Sequence, residues 1–147
     1  MKAAPEIRNR RSTPADFQQV NVISTAKLAD AASRAGVGHF IYLSSLNVVP
    51  ASAANPHEAA RHLDVPSEPY AASKWAAEQA LSACCDGSDM RLSIIRPGLV
   101  YDAELTANLR RIASLLSRCP VLLPDVGQRS LLARSDLVAL IEGCIRG

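Results

Sequence analysis

Aromatic side chains are scarce in this chain, at 4% of residues. The core therefore has to be built from aliphatic residues and alanine, and no interleaving of aromatic and basic residues of the kind that stacks nucleic-acid bases is present. No charge of one sign prevails. Lys and Arg number 16 against 14 Asp and Glu, the formal net charge is +2, and the arginines are spread along the chain, so no nucleic-acid stripe forms. No apolar run approaches the length of a membrane span. The stretch from Met1 to Ser12 is polar and basic, unlike a secretory signal. Cys84, Cys85, Cys119 and Cys144 contain no Cys-x-x-Cys pair, and His39, His57 and His62 stand at no ligand spacing from them. This pattern fits idle thiols in a reducing cytoplasm better than a metal or redox centre. Glycine is also sparse. The seven glycines are never arranged as Gly-x-x-Gly-x-x-Gly, so this sequence holds no strand–turn–helix loop of the kind that cradles a pyrophosphate.

What is present suits one domain, or part of one: 147 residues, 48% of them apolar and 20% charged. The clearest chemical signal is Tyr70-Ala71-Ala72-Ser73-Lys74, opening an alanine-rich run. Residues four apart on a helix share a face, one turn apart. An ammonium near a phenol favours the phenolate, and a phenol that can give and take a proton is a general acid–base group. The plain alternative is a helix with one buried aromatic and one solvated lysine.

The rest of the chain gives this pair a setting. Residues 1–13 read as a loose lead-in. Thr13-Pro14-Ala15-Asp16 has the form of a helix start, with Thr13 as N-cap and Pro14 at the first position. Phe17, Val20, Ile23, Ala26 (or Lys27), Leu28 and Ala31 recur at helical intervals, and Gly36 ends the helix. His39-Phe40-Ile41-Tyr42-Leu43 is apolar on successive positions, as a strand covered on both faces would be, and runs into Ser44-Ser45. Residues 46–66 read as a long loop. Ser67-Glu68-Pro69 leads into the helix of Tyr70 and Lys74, which runs to about Cys85 and stops at Asp86-Gly87. Leu92-Ser93-Ile94-Ile95 is a second buried strand, closed by Arg96-Pro97-Gly98. A helix is expected over 103–118, with Leu105, Leu109, Ile112, Leu115 and Leu116 on one side. A short strand is expected within 127–133, and a last helix over 137–145 capped by Ser135 or Asp136. Alternating helices and strands point to an α/β fold with a parallel sheet. Ser45, the Tyr70–Lys74 helix start and Pro97-Gly98 then share the carboxyl edge of that sheet, where such folds bind ligands.

Five pieces in this order resemble the extended short-chain dehydrogenase/reductase family, in its branch of NAD-dependent nucleotide-sugar epimerases and dehydratases. They are Val20-Asn21-Val22 with Thr25 and Leu28; Gly36 through Ser45; Glu68-Pro69-Tyr70-Ala71-Ala72-Ser73-Lys74 with Glu78; Ile95 through Tyr101; and Arg129 followed by Asp136-Leu137. The resemblance implies an incomplete Rossmann-like parallel sheet with flanking helices, plus part of a small substrate-binding lobe. Residues 14–101 would be the C-terminal half of the NAD-binding domain, and 102–147 the partial lobe and closing helix. It implies Tyr70 as general acid/base, Lys74 as the residue holding the nicotinamide ribose, and Ser45 as hydrogen-bonding the reacting oxygen. Asn21 and the backbone at Pro97 would lie near the cofactor, and Asn108 and Arg129 on the substrate pyrophosphate. A guanidinium suits that last task because it can donate two parallel hydrogen bonds.

The resemblance further implies NAD as cofactor, a nucleotide-sugar substrate and a homodimer through helices 14–35 and 69–85, while the composition points to a cytoplasmic setting with no membrane or nucleic-acid partner. Glu78 and Trp75 are expected to be solvated and packed, respectively, and Ser44 to cap a strand end. Asp102 departs from the family pattern, where a glycine is usual, and so does Val49-Pro50. The glycine-rich half of the family's cofactor site has no counterpart in the sequence. The expectation is therefore a portion of such an enzyme that is inactive alone, or a non-catalytic remnant kept for assembly. A related reductase acting on a steroid or flavonoid ketone would share Tyr70 and Lys74 without needing Arg129.

Overall fold

The computed structural model describes residues 13–49, 64–102, 114 and 130–147. The lead-in before Thr13, the helix expected over 103–118 apart from Ser114, Asn108, Cys119, Arg129 and most of the 46–66 loop lie outside the described residues.

The first helix starts as its sequence dictates. Thr13 accepts from the Asp16 N–H, and Asp16 accepts in return from the Thr13 N–H at 2.8 Å, with Pro14 in the first turn. Helix α1 (Pro14–Phe17) passes into a π-helical stretch (Gln18–Ser24) and then α2 (Thr25–Arg34), with helical dihedrals at each junction. Gly36, at φ 74°, ends it.

The π stretch changes which side faces inward. Each i→i+5 turn takes one residue more than an α turn, so the phase of the buried face moves along the sequence. Val20, Ile23 and Leu28, members of the apolar repeat, are exposed, at 63%, 38% and 62%. Val22, Ala29 and Ala32 meet the core instead.

Strand β1 (His39–Leu43) pairs in parallel with β2 (Arg91–Ile95), His39 opposite Arg91 and Leu43 opposite Ile95. Between them runs α3 (Pro69–Cys85). Glu68 is its N-cap, accepting from the N–H groups of Tyr70 at 3.1 Å and Ala71 at 2.8 Å. Gly87, at φ 75°, follows its end. Even-numbered residues Phe40, Tyr42, Leu92 and Ile94 turn one sheet face toward Ala29, Ala77, Leu81 and Met90, which form the core. Small alanines let the helices approach closely, which is how a chain poor in aromatics closes its interior. Leu43, on the alternate face, stays 39% exposed, so β1 is covered more on one face than on the other.

Among the described residues the strands form two sheets rather than one. Strand β3 (Leu99–Tyr101) pairs in parallel with β4 (Leu131–Ala133) as a second two-stranded sheet. Gly98 permits this, because a Cβ there would run into the Ser130 backbone carbonyl, which accepts from the Leu99 N–H at 2.9 Å. The last helix, α4 (Arg134–Arg146), starts earlier than its sequence suggests. Its N-cap is Ala133, with no side-chain cap, so neither Ser135 nor Asp136 fills that role. Asp102 pairs with Arg134 at 2.6 Å, tying the end of β3 to the start of α4. Cys84, Cys85 and Cys144 are free thiols, and among the described residues no group of His, Cys, Asp and Glu could hold a metal. No described helix is long and apolar enough to cross a membrane.

Candidate active site

The carboxyl ends of β1 and β2 continue side by side past the sheet. The Ser44 N–H donates to the Ile95 carbonyl at 2.7 Å, and the Leu46 N–H to the Pro97 carbonyl at 2.9 Å. Ser45 is thus held between two anchored neighbours, opposite the segment leading to Pro97. Its hydroxyl accepts from the Asn47 N–H at 3.2 Å, capping the 3₁₀ turn Leu46–Val48. Ser44, expected to cap the strand end, has a buried hydroxyl with no hydrogen-bond partner among the described residues.

Lys74 reaches this rim. Its Nζ donates to the Leu43 carbonyl at 2.8 Å and lies 4.7 Å from the centroid of the Tyr42 ring. An ammonium over a ring face is attracted by the ring quadrupole. Burial pushes the Lys74 ammonium below its ordinary range, and the Glu78 charge opposes that shift. Tyr42 moves the other way: burial first, then the negative charge of Glu78 and the neighbouring Tyr70, push its phenol up to about 12. Its hydroxyl is buried with no hydrogen-bond partner among the described residues.

Tyr70 stands one turn before Lys74 on α3. Its ring meets Phe17 edge-on, at 5.6 Å between centroids. Its carbonyl accepts from the Ser73 hydroxyl at 2.7 Å, and that hydroxyl accepts from the Asn21 amide at 2.9 Å. Asn21 sits in the π stretch, so α1 and the π turn together steady the first turns of α3. The contact shown for Asn21 is therefore side chain to side chain between helices. The π stretch has no periodic signature of its own in the sequence and was not anticipated.

Ser45, Lys74 and Pro97 come together on one rim, with Tyr70 one turn from Lys74 on the same helix. Asn108 and Arg129 fall outside the described residues. Glu78 reverses its expectation. It is 1% exposed, and Arg96 donates to both its oxygens, Nε to Oε1 at 3.0 Å and Nη2 to Oε2 at 2.6 Å. Its place at i+4 from Lys74, on the side of α3 that faces the sheet, was the available signal.

A sequence model described as "NAD dependent epimerase/dehydratase family" matches residues 2–139. The chain belongs to that family. A UDP-glucose 4-epimerase of Vibrio cholerae is 33% identical over 140 residues, which are 88% of this chain and 40% of the relative. The chain thus spans less than half the length of that epimerase. Among solved structures, a UDP-galactose 4-epimerase aligns over 98% of this chain and 48% of its own, with a TM-score of 0.69 and 23% identity. A dTDP-glucose 4,6-dehydratase double mutant, DesIV of Streptomyces venezuelae, with NAD and DAU bound, aligns over 91% and 43%, with a TM-score of 0.69 and 24% identity. MoeE5 in complex with UDP-glucuronic acid and NAD aligns over 95% and 48%, with a TM-score of 0.65 and 22% identity. These likenesses establish the Rossmann-like α/β fold of this epimerase/dehydratase chain.

Proposed function

We propose that this chain carries the proton-transfer half of the active site of an NAD-dependent epimerase or dehydratase acting on a nucleoside-diphosphate sugar. The observation that carries the reading is the Lys74 ammonium, seated on the Leu43 carbonyl at the sheet rim, one helical turn from Tyr70 and two residues from Ser45. Tyr70 takes the proton of a sugar hydroxyl and returns it, while Ser45 hydrogen-bonds the same oxygen. The residues fit the nicotinamide end of NAD. Among the described contacts, Lys74 spends one of its three donors on Leu43, which leaves others for a ribose hydroxyl. The Pro97 segment lies beside it. When bound, NAD supplies the hydride acceptor. Asn108 and Arg129 are assigned to the substrate pyrophosphate.

The pyrophosphate end of NAD is not fitted. No Gly-x-x-Gly-x-x-Gly occurs in the sequence, and the positive-φ glycines Gly36 and Gly87 serve helix ends. The 147-residue chain by itself is accordingly inactive, and calorimetric titration with NAD should show no tight binding. Tight binding would refute the half-site reading. The direct test is a chimera in which this chain replaces the matching segment of the Vibrio cholerae epimerase. The chimera should epimerise UDP-glucose, and Tyr70→Phe should lower kcat by about 10²–10⁴-fold. A folded chimera that turns over equally well with Tyr70→Phe, or not at all with Tyr70 intact, counts against the proposal.

A second reading, an assembly module, has one observation in its favour: Val20 and Leu28 project from the first helix at 63% and 62% exposure. Paired helices of two copies, 14–35 and 69–85, would cover them. Sedimentation at high concentration decides it, since a strict monomer excludes this reading.

A further inference from the structure

Glu78 and Arg96 form a tie that the proposed chemistry does not use. Glu78 lies one turn beyond Lys74 on α3, and Arg96 directly follows β2 and directly precedes Pro97. A carboxylate this deeply buried is seldom kept unless its charge and lone pairs are met. Here both oxygens are met by one planar fork, which fixes direction as well as distance. The neighbouring ties are of other kinds: a single bond from the flexible Lys74 side chain, and the neutral Asn21–Ser73 bond.

Resting on the Tyr70–Lys74 reading above, we propose that Glu78 and Arg96 are positioning residues: their fork fixes α3 to the segment that carries Pro97, and the buried carboxylate one turn from Lys74 keeps that ammonium at the rim as a cation. The groups facing Lys74 can be named from every side. Tyr42 and the Leu43 carbonyl come from β1, and Tyr70 and Glu78 from its own helix. Arg96 comes from the end of β2 and is turned to Glu78. Burial disfavours the charged amine, and Glu78 supplies the opposing attraction. Removing the Glu78 charge takes away that attraction and also the carboxylate that offsets the Arg96 charge nearby. Both changes push the Lys74 titration the same way, to lower pH.

Only Lys2, Lys27 and Lys74 are lysines, so carbon-13 labelling at the lysine ε carbon gives three signals that can be followed through a pH titration by NMR. In Glu78→Gln the Lys74 midpoint moves to lower pH, while Lys2 and Lys27 stay in place. Arg96→Lys keeps the cation but loses the fork. There the Leu46 amide, which donates to the Pro97 carbonyl, exchanges with solvent about tenfold faster, as loss of one charge-assisted bond allows. An unmoved Lys74 midpoint in folded Glu78→Gln, or unchanged Leu46 exchange in Arg96→Lys, overturns the proposal. If Glu78→Gln does not fold, the Arg96→Lys arm decides. Neither readout requires turnover, so failure here is separate from failure of the chimera.

Discussion

Replacing Arg96 with alanine leaves the Glu78 carboxylate buried and unpaired, and the cost can be worked from its surroundings. The Glu78 side chain is 1% exposed and its partner 22%. Breaking a buried pair by removing one member typically costs about 3–5 kcal/mol. Because Arg96 keeps about a fifth of its surface in water, solvent can follow into the truncated space, which puts the expected loss near the lower end, about 3 kcal/mol. Against a total stability of about 5–15 kcal/mol that is a large fraction, equivalent to a fall in Tm of about 10 °C for a domain this long. Urea unfolding followed by far-UV circular dichroism measures it, with the slope m unchanged. The control is Glu78→Leu with Arg96→Met, which removes both charges together and should lie within about 1 kcal/mol of the natural protein. An Arg96→Ala loss under about 1 kcal/mol would mean that the pair behaves as a surface salt bridge, and the reasoning from burial would fail.

Gly98→Ala should cost about 1–3 kcal/mol, because the new methyl meets the Ser130 backbone rather than a movable side-chain end. Faster exchange of the Leu99 amide would accompany it, and an equally stable variant would show that β3 and β4 can separate freely. In a spectrophotometric titration, one of the three tyrosines should ionise last, near pH 12, and Tyr42→Phe should remove that step. The linked stability has a definite sign. The Tyr42 phenol is raised above its unfolded value of about 10, so its contribution is fully present below about pH 10 and is lost as pH rises toward 12. Lys74 is lowered, so its contribution grows as pH climbs through its folded value toward about 10.4, and Lys74→Met should abolish that rise in urea midpoints.

The sequence alone determined what is local or periodic. Thr13-Pro14-Ala15-Asp16 caps a helix because the hydroxyl and carboxylate reach their own neighbouring N–H groups. Gly36 and Gly87 end helices because they adopt positive φ, and the apolar run 39–43 becomes a parallel strand. Tyr70 and Lys74 share a helix turn by spacing alone. Other features depended on which elements meet. The inner face of the first helix was set by a π stretch that α periodicity does not encode, so Val20 and Leu28 turned outward and Ala29 inward. The pairing of β3 with β4 apart from the main sheet depended on a backbone approach across Gly98, which no local pattern carries. Glu78 reads as a solvated helix charge until Arg96, far along the chain, is folded against it. Burial and charge pairing belong to the packed arrangement, because a side chain's access to water is decided by what the rest of the chain places over it.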